Sequence, residues 1–411
     1  MTNPVKVSRQ VSQSVVMQAI AQDGPISRAS LAKQIGLSKQ TISEVVKQLE
    51  KNGWVKVTGQ TSGHIGRTAV TYEVNPTSTG IIVVDLGGTK VRAVVVDLVG
   101  NITSDLTEPT DPVGKNAVID QIIRMCKSVT NLSSIDNELV KLAVIGVPGV
   151  PDFMTGAIKV SPNISGLDEI NVTELISEAL GLEVVLENDV NLAVLGEQWL
   201  GDDDSEFGLD NLVFISLGTG IGAGIIINGQ IVRGVDGSAG ELGFLPFGSD
   251  ATSKDALHAG AFENAVGTDA IVKLYKSKTG ELKNVKEIFN IARLGEPIAS
   301  EIVSEVGFSL ARAIAAITSL INPEKIIMGG SIGRQDILIN AIKKHLPKFM
   351  KQSPAVTAST LDGNAALIGG IAIGLEQRHA TLFAPDMGNA MVTQFPAPNK
   401  VNFLGGLKNE N

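Results

Sequence analysis

Two stretches of the chain repeat one pattern of hydrophobic and polar positions. In residues 80–102, an apolar β-branched run leads into a Gly-Gly-Thr turn, a second apolar run and a Gly-Asn turn. In residues 211–248, an apolar run leads into closely spaced glycines, a second apolar run and an Asn-Gly turn. Apolar runs of this length between turn residues predict buried strands joined as hairpins. The repeat indicates an internal duplication.

The glycine turns of the two copies differ in charge. The first has Asp85 before it and Lys90 after it, whereas the second has Ser216 and no charge. Glycine lets backbone N–H groups approach an anion closely, and a neighbouring carboxylate suits a phosphate-bound Mg²⁺. One interpretation is therefore a phosphate site, and the other is a hairpin that needs glycine only for its turn geometry. The candidate phosphate ligands are Asp85, Gly87, Gly88, Thr89, Lys90, Gly218, Thr219, Gly220 and Gly222.

In the first fifth of the chain, apolar residues recur at helical spacing instead. This spacing predicts a helix over residues 12–22, a second helix that Ser27 caps and Gly36 ends, and a third helix that Ser38 caps. Residues 57–72 then predict a two-stranded wing, so residues 1–78 form a winged helix-turn-helix. The apolar stripe of the third helix consists of Ile42, Val45, Val46 and Leu49.

The polar start of the third helix is typical of a DNA-reading helix. Gln40 and Ser43 suit base edges, Lys39 and Lys47 suit phosphates, and an arginine beside glycines at the wing tip suits a minor groove. The alternatives are a winged helix that binds protein and a solvated loop arginine. The predicted DNA-binding residues are Ser38, Lys39, Gln40, Thr41, Ser43, Lys47 and Arg67.

The distribution of charge favours the DNA interpretation. Residues 1–79 carry nine Lys/Arg and four Asp/Glu, whereas the remainder carries twenty-five and thirty-nine. A basic head on an acidic body is typical of a nucleic-acid-binding module joined to a metabolic domain. Chance scatter over a short head is the other explanation.

Cysteine usage and hydropathy bound the location of the protein. Cys126 is the only cysteine, which favours a reducing compartment. The start of the chain has no signal-peptide pattern, and no uninterrupted apolar run reaches about 18 residues. We therefore expect a cytoplasmic protein with no membrane partner.

A further set of polar residues follows a predicted strand that ends near residue 186. Glu187, Asn188 and Asp189 stand where that strand passes into a helix. A carboxylate at a strand end and a helix N-terminus is well placed for a ligand hydroxyl, and Asp189 suits a general base. The alternative for Asp189 is a helix N-cap.

These motifs together resemble the ROK family of repressors, open reading frames and sugar kinases. The matches occur in the family's order over about 300 residues, and the head resembles that of the repressor branch. The matching stretches are DLGGTK at 85–90, GVPG at 146–149, SPN at 161–163, ENDVNLAVLGE at 187–197, LGTGIGAGIIINGQIVRG at 217–234, GSAGELGF at 237–244 and IIMGGSI at 326–332.

The resemblance implies an α/β fold of the two-lobed, actin-like hexokinase type, with the ligand in the cleft between the lobes. We expect a head over 1–78, lobes over 79–190 and 191–380 with a returning C-terminal helix, and a tail over 381–411. Asp189 matches the catalytic base of the kinases, and Gly329 and Gly330 match positions near the nucleoside. The implied sugar ligands are Asn163, Asn188, Asp189, Glu241 and Glu263.

Two departures from the family concern zinc. The family has histidine where this chain has Phe244, and its cysteine-rich loop is replaced here by KDALHAGAF at 254–262. All four implied zinc ligands are missing, so we expect no bound zinc. The lost histidine is also a sugar contact, which argues against glucose or N-acetylglucosamine as the ligand.

Two functions remain open on the sequence alone. The first is a sugar-responsive repressor of carbohydrate-metabolism genes that binds operator DNA as a homodimer or homotetramer and needs no cofactor. The second is a sugar kinase, alone or combined with regulation, which uses ATP, Mg²⁺ and Asp189. The head favours the repressor, and the intact turn at Asp85 keeps the kinase open.

Overall fold

A computed structural model of the protein describes residues 4–61, 69–152, 155–159, 164, 166–167, 170–201, 209–248 and 250–385. The chain divides into two compact units. The first unit comprises residues up to Gly146, then Asn171–Leu186, then those from Gly370, and the second comprises Val147–Ile170 and Glu187–Gly369. The predicted domain bounds stay a prediction.

The head belongs to the first unit and has the predicted winged-helix order. Its three helices pack with an antiparallel sheet of order β1-β3-β2. The first helix begins at Pro4, eight residues before the predicted start, so the prediction of residues 12–22 was too short. The head elements are α1 (Pro4–Asp23), β1 (Ile26–Ser27), α2 (Arg28–Ile35), α3 (Lys39–Lys51), β2 (Val55–Thr61) and β3 (Ala69–Val74).

The predicted helix caps of the head are present. The Ser27 side chain accepts the Ser30 N–H at 3.1 Å, and Gly36 ends α2 in the left-handed conformation. Ser38 accepts the Thr41 N–H at 3.0 Å, which starts α3. These bonds satisfy N–H groups that a helix start otherwise leaves unpaired. The buried side of α3 consists of Ile42, Val45, Val46 and Leu49, as predicted.

The rest of the first unit is built on a five-stranded sheet of order β6-β5-β4-β7-β8. Strands β4, β5 and β6 form an antiparallel meander, and β7 lies parallel to β4. The strands and helices are β4 (Gly80–Leu86), β5 (Lys90–Asp97), β6 (Ile102–Pro109), α4 (Lys115–Leu132), β7 (Val140–Val147), α5 (Val172–Leu180) and β8 (Glu183–Asn188).

The second unit repeats this topology, which confirms the predicted strand pattern. Its sheet has the order β11-β10-β9-β12-β13, with β9, β10 and β11 antiparallel and β12 parallel to β9. Its elements are α6 (Asp189–Leu200), β9 (Leu212–Leu217), β10 (Ile221–Ile227), β11 (Gln230–Ile231), α7 (Lys254–Ala259), α8 (Glu263–Val266), α9 (Thr268–Thr279), α10 (Val285–Arg293), α11 (Pro297–Ile321), β12 (Lys325–Gly329), α12 (Gly330–Gly333), α13 (Asp336–His345) and β13 (Ala355–Ala358).

Helix α11 is long and apolar enough, by length and composition, to cross a membrane. Its most apolar window is 56% buried, and it packs with α10, α13 and the sheet in one hydrophobic core. A core helix of a globular protein has these properties as well.

The last described helix, α14 (Ala365–Phe383), contributes its end to the core of the head. Phe383 is 1% exposed, and its ring meets Trp54 edge-on with the ring centroids 4.8 Å apart. Leu98, which follows β5, belongs to the same apolar cluster. The head therefore completes its core with residues that lie far beyond residue 78.

Candidate functional site

The start of α6 holds two of the predicted sugar ligands. The Asn188 side chain accepts the N–H groups of Val190 and Asn191 at 2.9 and 3.0 Å, and it donates to the Gly149 carbonyl at 2.8 Å. Asn188 is thus the N-cap, and Asp189 is the first residue of the helix. The alternative interpretation of Asp189 as the N-cap was wrong, because Asn188 fills that role.

Strand β10 supports the predicted site from one side. Gly224 packs so closely that an added Cβ would lie 2.5 Å from the Val190 carbonyl oxygen. Gly240 has a φ of +94°, and its carbonyl accepts the Ala223 N–H at 2.7 Å, which leaves no room for a side chain. Glycine is required at both positions, by close approach at the first and by left-handed backbone at the second. The start of α6 and the loop before Glu241 therefore rest on the same strand.

Glu241 and Glu263 are two half-buried carboxylates of this unit. Glu263 accepts the Ile221 N–H of β10 at 3.1 Å. Burial raises the pKa of Glu241, and the neighbouring charge of Glu263 raises it further. Burial also raises the pKa of Glu263, against the opposing bond from Ile221. Partly buried carboxylates with a raised pKa are typical of a ligand site. There, a hydroxyl of the bound ligand donates the hydrogen bond that water donates to an exposed carboxylate.

The structure thus brings Asn188, Asp189, Glu241 and Glu263 into one unit around β10. Asn163 lies outside the described residues. A fifth side chain, that of Glu187, lies in one of the family motifs, and the sequence predicts no role for it. It is 1% exposed, and its Oε1 accepts the Asn188 N–H and the Asn191 side-chain amide, each at 3.0 Å. Its only sequence signal is its place directly before the Asn-Asp pair.

The first glycine turn joins β4 to β5 in the first unit. The Gly87 N–H donates to the Lys90 carbonyl at 2.9 Å, and the Thr110 hydroxyl donates to the Gly87 carbonyl at 2.7 Å. Gly88, Thr89 and Lys90 are exposed. Burial raises the pKa of Asp85 to about 6, although Lys90 and Arg92 lower it.

The second glycine turn joins β9 to β10 in the second unit. The Gly218 N–H donates to the Gly220 carbonyl at 3.0 Å, and the Thr268 hydroxyl donates to the Gly218 carbonyl at 2.8 Å. Thr219 is exposed at its tip, and Gly222 lies within β10. Gly329 ends β12 and Gly330 begins α12, packed against Leu217 at the end of β9. These candidates form one group on the second sheet, and the role in phosphate binding stays a prediction.

The segment that replaces the family's zinc loop is packed with apolar side chains. Phe262 is fully buried and meets Phe247 edge-on at 6.2 Å, and Ala256 and Ala261 are buried beside it. Phe244 is 47% exposed. Within the described residues, no three His, Cys, Asp or Glu side chains are grouped to hold a metal ion. The expectation that zinc is not bound stays a prediction.

The candidate DNA interface is the outer face of α3. Lys39, Gln40 and Lys47 are exposed, and the Gln40 amide donates to Glu44 at 3.1 Å. Thr41 and Ser43 are half-buried, and the Ser38 and Thr41 hydroxyls are hydrogen-bonded at 2.8 Å. Ser38 and Thr41 therefore act first in the cap, while the exposed residues are available to a ligand. Arg67 lies outside the described residues.

A duplicated α/β fold of hexokinase type behind a winged helix defines the class of this protein. Residues 81–377 match the model of the ROK family, and the chain belongs to that family. Residues 10–62 match the model of the MarR family.

Three similar proteins illustrate the range of relatives. The chain is 27% identical over 370 residues to the xylose repressor of Bacillus subtilis, covering 88% of this chain and 94% of that protein. It is 31% identical over 312 residues to the glucokinase of Thermotoga maritima, covering 71% and 96%. In fold, it is similar to a ROK family transcriptional regulator that is a homologue of the E. coli MLC protein, with a TM-score of 0.74, 24% identity and coverage of 92% and 98%.

Proposed function

We propose that the protein is a sugar-responsive DNA-binding regulator that represses carbohydrate-metabolism genes. The observation that carries this proposal is the winged helix with the exposed face of α3, joined to a ROK domain. The similarity to the xylose repressor extends over 88% of the chain, whereas the similarity to the glucokinase covers 71%. The extra length of the first match favours the regulator.

The sugar site of this proposal is the group of polar residues around β10, with Asn188 and Asp189 at the start of α6, Glu241 after the glycine loop and Glu263 at the start of α8. Carboxylates of Asp189, Glu241 and Glu263 accept hydrogen bonds from sugar hydroxyls, and the Asn188 amide is fixed by its three bonds to the backbone. Asn163 is proposed as a further ligand from the family motif. Directional bonds to several hydroxyls give selectivity for one sugar over another.

DNA binding is proposed for a homodimer or homotetramer on a pseudo-palindromic operator, because each chain carries one winged helix. Gln40 and Ser43 then read base edges, while Ser38, Thr41, Lys39 and Lys47 contact the DNA backbone. Arg67 is proposed from the sequence alone to enter the minor groove. Gln40→Ala should relax base preference. Lys39→Ala should weaken binding to all sequences and reduce the dependence on salt. Fluorescence anisotropy with operator variants at several salt concentrations measures both effects.

A sugar kinase is the second candidate, and the intact turn from Asp85 to Lys90 favours it. The exposed backbone of this turn suits phosphate, and the Asp85 carboxylate suits Mg²⁺, which when bound neutralises phosphate charge. Asp189 at the helix start would take the proton of the attacking hydroxyl. Phe244 offers no hydrogen bond to hold the sugar, so we expect slow or no phosphoryl transfer.

An ADP-release assay over pentoses, hexoses, amino sugars and polyols tests the two candidates. The regulator predicts sugar binding by calorimetry without turnover at ordinary kinase rates of about 1–100 per second. Turnover in that range, lost in Asp189→Asn, would establish a kinase. Absence of binding by every sugar would exclude both proposals.

A further inference from the structure

The buried carboxylate of Glu187 joins two parts of the proposed sugar site. On one side, its Oε1 accepts the N–H of Asn188 and the side-chain amide of Asn191. On the other, its Oε2 accepts the Arg233 Nε–H at 2.7 Å. The Glu187 side chain is 2% exposed and the Arg233 side chain is 37% exposed. A carboxylate this deeply buried needs a cation or several donors, and here it has both.

Arg233 stands at the base of the loop that carries Glu241. Its carbonyl accepts the Ala239 N–H at 3.1 Å, which closes the loop on itself. The loop continues through Gly240, which is bonded to Ala223 of β10, directly into Glu241. The backbone of Arg233 therefore fixes the loop, and its side chain fixes that loop to the end of β8.

We propose that the Glu187–Arg233 ion pair is a positioning device that sets the Glu241 loop relative to Asn188 and Asp189. This inference rests on the proposed function, because it takes these three residues as ligands of a sugar with vicinal hydroxyls. Glu187 and Arg233 act through the residues next to them. A site for several hydroxyls depends on such support, since a shift of about 1 Å breaks directional bonds.

The competing explanation is an ion pair that stabilises the fold without affecting the geometry of the site. The two explanations differ in their dependence on Glu241. If Arg233 acts by placing Glu241, its loss should matter less once Glu241 can no longer bind the sugar. If it only stabilises the fold, the two losses should be independent.

The test is a double-mutant cycle with Arg233→Met and Glu241→Gln, measured by calorimetry with D-xylose, D-glucose and further pentoses and hexoses. Arg233→Met should lower the affinity for the bound sugar at least about tenfold. The affinity of the double variant should differ by about 2- to 150-fold from the product of the two single effects. Arg233→Lys keeps the cation but not the planar donor, so it should recover part of the affinity. Additive effects in the cycle would overturn the inference.

A matched control is Lys278→Met, which removes the cation paired with Glu301 and Glu305 on the same unit. It should leave sugar affinity unchanged. A loss of affinity equal to that of Arg233→Met would show a general effect of cation removal and would overturn the inference.

A second measurement needs no sugar and separates this inference from the proposed function. In the ligand-free protein, Arg233→Met should speed amide hydrogen exchange at least about tenfold at Ala239 and Asn188, while Lys278→Met should not. Unchanged exchange at these amides would overturn the positioning role even where sugar binds. Faster exchange in a protein that binds no sugar would support the link and remove the proposed function instead.

Discussion

At the scale of single residues, the candidate sites of the two units each contain carboxylates held partly out of water. Burial raises the pKa of Asp85 in one unit and of Glu241 and Glu263 in the other. A raised carboxyl pKa means that the ionised form is less stable in the folded protein than in the unfolded chain. Each of these groups therefore lowers stability at neutral pH, which is typical of residues kept for a ligand.

This sign gives a prediction for Asp85. Its pKa rises from 3.8 unfolded to about 6 folded, so its contribution to stability is full below about pH 4 and is lost as the pH rises through about 6. Asp85→Asn should therefore raise the free energy of unfolding by about 1–3 kcal/mol at pH 8, and by less at pH 5. Urea unfolding at both pH values measures the difference.

The exposed Asp120 on α4 provides the control for this measurement. Asp120→Asn should leave the difference between the two pH values unchanged. If Asp85→Asn raises the free energy of unfolding equally at pH 5 and pH 8, burial of the ionised carboxyl is not the cause of the effect.

At the scale of elements, the two sheets show how far the sequence pattern reaches. The hairpins at Gly87 and Gly218 and the caps at Ser27 and Ser38 were predicted, because strand alternation, turn glycines and caps are local signals. The partner of Glu187 was not, since Arg233 lies 46 residues later and no local pattern links the two. Local sequence patterns therefore cannot predict site geometry that depends on contacts between segments far apart in the chain.

The segment at residues 254–262 gives a second prediction. Phe262 is buried in the apolar core of the second unit, in the segment where the resemblance to the family implies a zinc loop. We therefore expect apolar packing to support this segment without metal. The purified protein should contain no stoichiometric zinc, and chelator should leave its melting temperature unchanged. Elemental analysis that finds about one zinc per chain would contradict this expectation.

Gly240 gives a third prediction at this scale. Its φ of +94° and its contact with Ala223 exclude a side chain, so Gly240→Ala should destabilise the second unit and displace Glu241. Gly280→Ala is the matched control, because Gly280 has a φ of +77° but open space around it. Thermal unfolding should show a larger drop in melting temperature for Gly240→Ala than for Gly280→Ala. Equal drops would mean that backbone strain alone, and not the contact with β10, causes the destabilisation.

At the scale of the molecule, the apolar core of the head includes residues that lie beyond residue 78. Leu98 and Phe383 complete its core, and the His379 ring packs on Phe383, with burial lowering the pKa of His379 to about 4. This contact could not be predicted from the sequence, because an apolar residue at the end of a helix predicts burial without identifying the residues it packs against. A fragment that ends at residue 78 lacks both side chains.

Phe383→Ala should therefore destabilise the first unit by about 3–5 kcal/mol, as for other large-to-small changes in a core. The half-exposed Phe349 is the control, and Phe349→Ala should cost clearly less. Urea unfolding followed by circular dichroism measures both losses of stability. A loss no larger than that of Phe349→Ala would show that the head is stable without α14.

In the proposed function, a sugar bound by the ROK domain alters the affinity of the head for DNA. Such coupling requires that the sugar prefer one of two conformations that differ in DNA affinity. The most direct measurement is the operator affinity of the full chain with and without a saturating sugar that calorimetry has identified. The operator affinity should change roughly 5- to 150-fold with the sugar, and Glu241→Gln should abolish that change, whereas sugar binding that leaves operator affinity unchanged would contradict the coupling.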